Sequence, residues 1–243
     1  MAELIARQAQ ILKAIVEEYI ETAEPVGSQT LEKKYGLRVS PATIRSEMVK
    51  LTKTGYLRQP HTSAGRIPSS AGLKFYIDQL MEEKQMSVTE EVSAREAIWD
   101  YRFELDHLLR EATRALAQRT QMLAIATTSD GDIYSAGTAN ILDMPEFYDI
   151  DVTRNVLSLL DETRRLQSLF EKALGEETIH ILLGEELDQE FLRPCGFVFT
   201  DFSAGGQKTG VLGVIGPCRL NYPRVIPQIR YFGQLIDEVT KSW

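Results

Sequence analysis

The sequence predicts an α+β fold in two domains, and three observations carry this prediction. Apolar residues recur at helical spacing through the first half of the chain, whereas the second half also contains short apolar runs of strand type. A chain of 243 residues is long enough for one or two domains. The charge is also divided, since residues 26–76 hold nine Lys or Arg against two Glu and carry +7, whereas the remainder carries −15.

The first third of the chain predicts four helices. Its strongest local signal is Ser40-Pro41, because Ser is a preferred N-cap and Pro suits the first helical position. The other limits follow from apolar spacing and from Gly and Pro positions. The predicted helices run from Ile5 to about Thr22, from an N-cap at Ser28 through Tyr35, from Pro41 to about Thr54, and from Ser70 to about Met81.

The third predicted helix has two contrasting faces. Ile44, Met48 and Leu51 form a narrow apolar stripe that must face other helices. Small, hydroxylated and basic side chains occupy the opposite face, as a helix that enters the major groove of DNA requires. That face comprises Ala42, Arg45, Ser46, Val49, Lys50 and Lys53. Taken alone, the pattern fits a recognition helix and an ordinary amphipathic helix equally well.

A polar segment follows, which predicts a β-hairpin. Tyr56–Gln59 is strand-like, and Pro60–Pro68 is rich in turn residues, with Arg66 placed after a flexible Gly65. Such a loop can lie along the phosphate backbone or enter the minor groove. His61 is interpreted as a hydrogen-bonded loop residue, since no carboxylate or second His lies near it in the sequence. Three helices, a hairpin and a packing helix predict a winged helix-turn-helix domain over residues 1–82.

The candidate DNA-binding residues lie on the third helix and in the loop after it. Ala42, Arg45 and Ser46 are expected to face bases, and Lys50, Lys53 and Arg66 to meet phosphates. The full predicted set is Ser40, Ala42, Thr43, Arg45, Ser46, Lys50, Lys53, His61, Thr62, Ser63 and Arg66.

These residues resemble the HrcA family of bacterial heat-shock transcription repressors. Long, ordered strings carry the resemblance in the first domain. The resemblance is weaker around Leu105–Ala126 and strengthens again in two later strings. The strings are Glu24-Pro25-Val26-Gly27-Ser28, Val39-Ser40-Pro41-Ala42-Thr43-Ile44-Arg45, Gly55-Tyr56-Leu57, Pro60-His61-Thr62-Ser63-Ala64-Gly65-Arg66-Ile67-Pro68, Gly137-Thr138-Ala139-Asn140-Ile141-Leu142 and Gly210-Val211-Leu212-Gly213-Val214-Ile215-Gly216-Pro217.

The resemblance implies more than the residues show by themselves. It implies a GAF-like regulatory domain over residues 120–243, an inverted-repeat operator of the CIRCE type, and a GroEL-type chaperonin that keeps the repressor active. Family members carry further strands and an inserted dimerisation domain between positions equivalent to Arg119 and Ile133. Here Ser129–Asp132 bridges that gap directly. We therefore expect a shortened form, with an abbreviated sheet that is marginally stable and loses structure before the first domain.

The rest of the chain predicts a linker with a connecting helix over residues 83–119, and then alternating helices and strands. The linker covers Glu82–Thr89, and Gly210–Pro217 is interpreted as a strand with close backbone packing rather than a phosphate-binding loop. The predicted body elements are a helical stripe from Ile98 to about Arg119, strands at Met122–Ala126, Ile179–Leu183, Phe197–Phe202 and Val211–Ile215, a helix over Val152–Leu174 and a last helix from about Pro223.

Several other classes of protein fit the sequence poorly. The chain has no signal-peptide pattern and no apolar run long enough to span a membrane, so a soluble cytoplasmic protein is expected. Cys195 and Cys218 lack metal-binding spacing and are expected to be free thiols, and no cofactor is predicted. A thiol hydrolase built from Cys195, His180 and Asp201 is the enzymatic alternative, but no family signature surrounds the cysteine.

Two further hypotheses concern assembly and regulation. A palindromic operator matches a two-fold protein, so a homodimer is expected, with the stripe from Ile98 to Leu116 and the neighbouring Trp99 and Phe103 as part of its contact. The equally weighted alternative is that this helix packs on its own domain. The alternative to chaperonin control is a regulator gated by a small molecule in the GAF-like domain.

Overall fold

The computed structural model describes residues 4–37, 39–173, 175–187, 189–206 and 208–241. The chain divides into two compact units, Met1–Glu82 and Glu83–Trp243. Both helices and strands are present, which confirms the mixed helix-and-sheet class predicted from the sequence. Residues 83–119, the predicted linker and connecting helix, belong to the second unit by their contacts.

Within its described residues, the first unit contains four helices and a short two-stranded antiparallel sheet. Its core forms where the inner faces of the first three helices meet, and it includes Leu12, Leu31 and Ile44, which are fully buried. The elements are α1 (Ala6–Thr22), α2 (Ser28–Tyr35), α3 (Pro41–Lys53), β1 (Leu57–Arg58), β2 (Ile67–Pro68) and α4 (Ser70–Phe75), which continues as a π-helical turn (Tyr76–Leu80).

Two predicted details of this unit are wrong. The N-cap of α2 is Gly27, and Ser28 is instead the first helical residue and is buried. The reason is that Val26 exchanges two backbone hydrogen bonds of 2.9 Å with Arg66, which keeps the chain extended until Gly27. The fourth helix also does not continue in α-helical form to Met81, because it widens into the π-helical turn at Tyr76.

The second unit is built on a five-stranded antiparallel sheet in the order β4-β3-β7-β6-β5. The α-helices and strands are α5 (Val88–Trp99), α6 (Leu105–Thr120), β3 (Leu123–Thr128), β4 (Ile133–Ala136), α7 (Ile150–Asp161), α8 (Thr163–Glu171), β5 (His180–Leu183), β6 (Cys195–Ala204), β7 (Lys208–Pro217) and α9 (Tyr222–Thr240). Short 3₁₀ turns precede α7 and join β5 to β6.

Helices cover both faces of this sheet. On one face, side chains of α7 and α8 such as Val156, Leu166 and Phe170 pack with Phe197 and Phe199 of β6 in a buried cluster. On the other face, α9 lies against β6 and α6 lies against β3. Burial of both faces explains why the central strands are almost continuously apolar.

The predicted strands and the last helix are found near their predicted limits, but both long helices are interrupted. The stripe from Ile98 to Arg119 breaks at residues 100–104, and the helix over Val152–Leu174 breaks at Glu162. Apolar spacing continues across each break, so periodicity alone does not reveal them. Leu174 lies outside the described residues.

The sequence prediction also omits β4, so it gives the sheet one strand too few. Ser129–Asp132 forms the turn of a hairpin, in which the Thr128 N–H donates to the Asp132 carbonyl (3.1 Å) and Thr127 pairs with Ile133. The short bridge therefore closes a regular β3-β4 hairpin instead of truncating the sheet.

The glycine-rich segment Gly210–Pro217 lies within β7, which confirms a closely packed strand. A Cβ atom at Gly213 would lie 2.3 Å from the carbonyl oxygen of Val198 on β6. Only Gly leaves room for such an approach of two backbones.

Candidate nucleic-acid interface

The start of α3 is fixed by its own sequence. The Ser40 hydroxyl accepts a hydrogen bond from the Thr43 N–H (3.2 Å), and the two hydroxyl oxygens are 3.0 Å apart. Pro41 occupies the first helical position. Ile44, Met48 and Leu51 are buried as predicted, so the rotation of α3 leaves its polar face in solvent.

The exposed face of α3 carries a cation near each end. Arg45 and Lys53 are exposed, and neither side chain makes a hydrogen bond or ion pair with another described residue. Ala42 and Ser46 are exposed beside Arg45. This face therefore presents two charged groups that are free to bind an external anion. Arg38, which contributes to the predicted basic segment, lies outside the described residues.

The Lys50 side chain makes a hydrogen bond within the first unit. Its Nζ donates to Glu47 Oε1 (2.8 Å), and Gln8 Nε2 donates to Glu47 Oε2 (3.1 Å). Glu47 is only 4% exposed, and the hydrogen bond from Lys50 is the main cause that holds its pKa below the ordinary value. Lys50 thus neutralises a buried carboxylate, a role that was not predicted. The spacing carried the signal, because position 47 completes the buried i, i+3, i+4, i+7 stripe that starts at Ile44.

Hydrogen bonds within the loop between β1 and β2 stabilise its conformation. Gln59 Nε2 donates to the carbonyl oxygens of Thr62 (2.9 Å) and Ala64 (3.0 Å), and His61 Nδ1 lies 3.1 Å from the Ser63 hydroxyl. His61, Thr62 and Ser63 are all exposed at its tip. His61 is a hydrogen-bonded loop residue, as its sequence context indicates.

Arg66 lies at the base of this loop and not at its tip. Its Nε donates to the Thr52 hydroxyl (3.1 Å), and its Nη1 approaches the carbonyl oxygens of Ala64 (3.4 Å) and Gly65 (3.3 Å). The prediction that Gly65 makes the loop flexible is wrong. The Gly65 backbone packs so closely on Val26 that a Cβ atom there would lie 2.3 Å from the Val26 carbonyl oxygen.

The structure brings part of the predicted set together around one groove. A groove of about 390 Å³ separates α3 from the loop, and Arg45, Thr62, Ser63 and Arg66 line it together with Val49. The remaining predicted residues do not line this groove, although they belong to the same helix and loop. They are Ser40, Ala42, Thr43, Ser46, Lys50, Lys53 and His61.

The alternative catalytic set is not assembled. His180 Nε2 lies 3.5 Å from Asp201 Oδ1, but His180 pairs with Phe199, four residues along β6 from Cys195, a separation of about 13 Å. Cys195 is fully buried, and this burial raises the pKa of its thiol. Over the described ranges, no group of three or more metal-ligating residues occurs. Within the same ranges, every helix is too short or too polar to cross a membrane.

Comparison with known proteins then decides the family. A family model described as the HrcA protein C-terminal domain matches residues 73–226, which is well over half of the chain. The chain belongs to the HrcA family. The match starts within α4 and ends within α9, so it includes all five strands of the large sheet.

Two HrcA relatives match along nearly their whole lengths. The heat-inducible transcription repressor HrcA of Syntrophobacter fumaroxidans is 27% identical, with 100% of this chain and 99% of the relative covered. The repressor of the same name from Symbiobacterium thermophilum is 28% identical, with 97% and 98% covered. The first alignment spans 344 positions, so at least 101 of them hold residues of the relative alone, because this chain has 243.

A solved structure shows that the fold occurs elsewhere. A crystal structure of a hypothetical protein superposes with a TM-score of 0.80 at 21% identity and covers 99% of both chains.

The chain is a heat-shock transcription repressor, as membership of the HrcA family implies, and not an enzyme.

Proposed function

We propose that the first unit is a winged helix-turn-helix domain that places α3 in the major groove of operator DNA and lays the loop of residues 59–66 against the backbone. The observation that carries this proposal is Arg45. It is exposed and unpaired among the described residues near the N-terminal end of α3, and it lines the groove beside the loop. Residues near that end of a recognition helix contact base edges.

The proposed roles follow from what each side chain already contacts. Arg45, Ser46 and Ala42 contact bases. Lys53, at the end of α3, contacts phosphate. Ser40 and Thr43 also contact phosphate, at the start of the helix. Thr62, Ser63 and His61 contact the backbone from the loop. Lys50 and Arg66 add positive charge, but their hydrogen bonds to Glu47 and Thr52 make them chiefly positioning residues.

Substitution of Arg45 and of Lys53 tests these roles. We expect Arg45→Ala to weaken binding to an inverted-repeat duplex by about 1 to 3 kcal/mol and to relax its preference over a scrambled duplex. Lys53→Ala should weaken both duplexes equally and reduce the salt slope by about 1. Fluorescence anisotropy over a range of salt concentrations measures both effects.

A cation of the second unit provides the matched control. Arg154 is paired with Asp151 on α7, so Arg154→Ala should bind both duplexes as the native chain does. An equal loss on both duplexes for Arg45→Ala would contradict base reading.

We propose that the repressor binds an inverted repeat of the CIRCE type as a homodimer. An inverted repeat presents two identical half-sites, which a two-fold symmetric protein matches. The apolar stripe of the predicted contact cannot form it, because Ile98, Leu108, Leu109 and Leu116 are fully buried within their own unit, whereas Trp99 and Phe103 remain exposed. The contact must use residues that remain in solvent.

The outer face of α5 meets that requirement. This helix buries Ala94 and Ile98 on one side, yet Val88 and Val92 and Trp99 are exposed on the other. Phe103, which follows α5, is 69% exposed, and the Arg102 guanidinium carbon lies 4.6 Å from the ring centroid of Trp99 and 4.5 Å from that of Phe103. A helix with apolar residues on both faces indicates that the outer one has a partner.

The spacing of these residues makes the outer face of α5 self-complementary. In an antiparallel pair of α5 helices centred between Arg95 and Glu96, Val88 lies beside the non-helical segment that carries Phe103 of the second copy. Val92 then lies opposite Trp99, whereas Arg95 near the centre is paired with Glu238 of its own chain. A two-fold axis generates each contact twice, as an isologous interface requires.

A charged residue in this face should dissociate the dimer. We expect the native chain to sediment as a dimer at tens of micromolar and Val92→Arg to sediment as a monomer, because burying an unpaired charge opposes association. Ile150→Arg is the control, since Ile150 is an equally apolar and exposed side chain on α7. A monomeric native chain, with and without operator DNA, would contradict the dimer, and a dimeric Val92→Arg variant would exclude this face.

We propose that the second unit is a GAF-like regulatory domain and that a GroEL-type chaperonin maintains the active fold. Family membership supports this proposal, because a repressor that releases transcription on heating needs an active fold that is lost on heating. After heat treatment, we expect chaperonin with nucleotide to raise the fraction of chains that bind operator. Titration of operator with and without chaperonin measures this fraction, and an unchanged fraction would remove chaperonin control.

A further inference from the structure

A polar cleft of about 440 Å³ opens in the second unit where α5, α6 and α9 converge. The segment before α5 forms one wall, because the Lys84 N–H donates to the Pro223 carbonyl (2.9 Å) and the Glu83 carboxylate holds Arg230 with two hydrogen bonds (2.5 and 2.8 Å). The buried side chain of Val225 lies at its floor. Hydrogen bonds to α9 therefore hold this wall of the cleft in place.

Three cations line this cleft. They are Lys84, Arg119 and Arg224, and the side chains of Lys84 and Arg224 make no hydrogen bond or close ion pair with any described residue. Arg119 is held in place by a hydrogen bond to the Ser93 hydroxyl (2.9 Å) and has further N–H groups available. This concentration of positive charge is notable because the chain outside residues 26–76 carries −15.

One carboxylate also lines the cleft, and it is already occupied. Glu90 accepts hydrogen bonds from the Ser87 N–H and hydroxyl, both of 2.8 Å, in a capping box at the start of α5. Hydrogen bonds from Ser87 hold its pKa below the ordinary value, and the charges of Arg119 and Arg224 lower it further. The three cations thus retain an excess of positive charge over the single carboxylate.

The cleft also contains an unsatisfied acceptor. Gln228 Oε1 is buried and has no hydrogen-bond partner among the described residues. A buried polar atom without a partner costs free energy. Three further amide side chains line the same cleft, from Gln85, Gln121 and Asn221.

We propose that this cleft binds a nucleoside monophosphate. Its phosphate is held by Arg224, Lys84 and Arg119, and its polar groups meet the amide side chains of Gln85, Gln121 and Asn221 that line the cleft. The volume suits a small molecule of this size. The site lies in the second unit, so the binding does not depend on the proposed DNA contacts, and its occupancy gives that unit a ligand to respond to.

Calorimetric titration of the full chain with AMP tests the site. We expect one AMP per chain, with affinity at least tenfold lower in Arg224→Gln and in Lys84→Gln, and weaker binding of inorganic phosphate, which lacks the sugar and base. Circular dichroism verifies that each variant is folded. Arg154→Gln in the second unit and Lys53→Gln on α3 serve as controls and should bind AMP like the native chain.

Two results would overturn the proposal. One is the absence of heat from AMP at millimolar concentration, and the other is unchanged affinity in both Arg224→Gln and Lys84→Gln. Loss of AMP binding in Lys53→Gln would assign the binding to the basic surface of α3 and would also overturn it. None of these results bears on operator binding, which the Arg45 and Lys53 experiments test separately.

Discussion

A Gly65→Ala variant is expected to lose about 3 kcal/mol of unfolding free energy and, with it, most operator binding at physiological temperature. The added Cβ would lie 2.3 Å from the Val26 carbonyl oxygen and 2.9 Å from the Pro25 carbonyl carbon. Both are backbone atoms, so no side-chain rotation relieves the overlap. The loop must move away from Val26, which breaks the two 2.9 Å hydrogen bonds between Val26 and Arg66.

Gly27→Ala is the matched control. Gly27 belongs to the same segment, but a Cβ there meets nothing closer than the Thr30 hydroxyl at 3.9 Å. Because Ala is a poorer N-cap than Gly, we expect this variant to lose no more than about 1 kcal/mol. Urea unfolding of both variants measures the difference, and equal stabilities for Gly65→Ala and Gly27→Ala would refute the close-packing argument.

Lys50→Ala is expected to destabilise the first unit by about 2 kcal/mol at neutral pH, because it leaves the buried Glu47 carboxylate with Gln8 as its remaining hydrogen-bond donor in the described contacts. The effect on operator binding then follows mainly from stability. Adding Glu47→Gln to Lys50→Ala removes the uncompensated charge and should restore most of the lost free energy. A double variant no more stable than Lys50→Ala would contradict this explanation.

The pH dependence has a defined sign. The folded pKa of Glu47 lies below 4.5, so in the native chain its contribution to stability is present above about pH 4.5 and is lost as the pH falls through the folded value. Lys50→Ala removes the main cause of that lowering. The difference in unfolding free energy between the native chain and Lys50→Ala should therefore be largest near neutral pH and should narrow below pH 4.5.

Local signals predicted the first unit well. The Ser40-Pro41 start and the stripe of Ile44, Met48 and Leu51 depend on neighbouring residues, and local chemistry decides such features. The hydrogen bonds of Glu47 with Gln8 and of Arg66 with Thr52 could not be predicted in the same way. The partners Gln8 and Thr52 lie 39 and 14 residues away in the sequence, and only the tertiary fold brings them together.

The second unit shows a different limit of sequence patterns. Apolar spacing located its main strands. It did not reveal the helix break at Glu162, because Leu159 and Leu166, on either side of the break, both belong to the same core cluster. It also missed β4, whose four residues are too few for a clear period. The cleft formed by Lys84, Arg119 and Arg224 joins three distant segments, so no local pattern indicates it.

The β3-β4 hairpin turn makes the second unit modular. β4 is the last strand at one edge of the sheet, and four residues, Ser129–Asp132, join it to β3. Chain inserted at this turn leaves the β3-β7 and β7-β6 registers untouched, since neither depends on the turn. An unstructured insertion of about 100 residues would add only about 3 kcal/mol of loop-closure entropy, and one that folds by itself would add less. Such a turn lets a lineage acquire or discard a whole accessory domain in one step, while the sheet keeps its order.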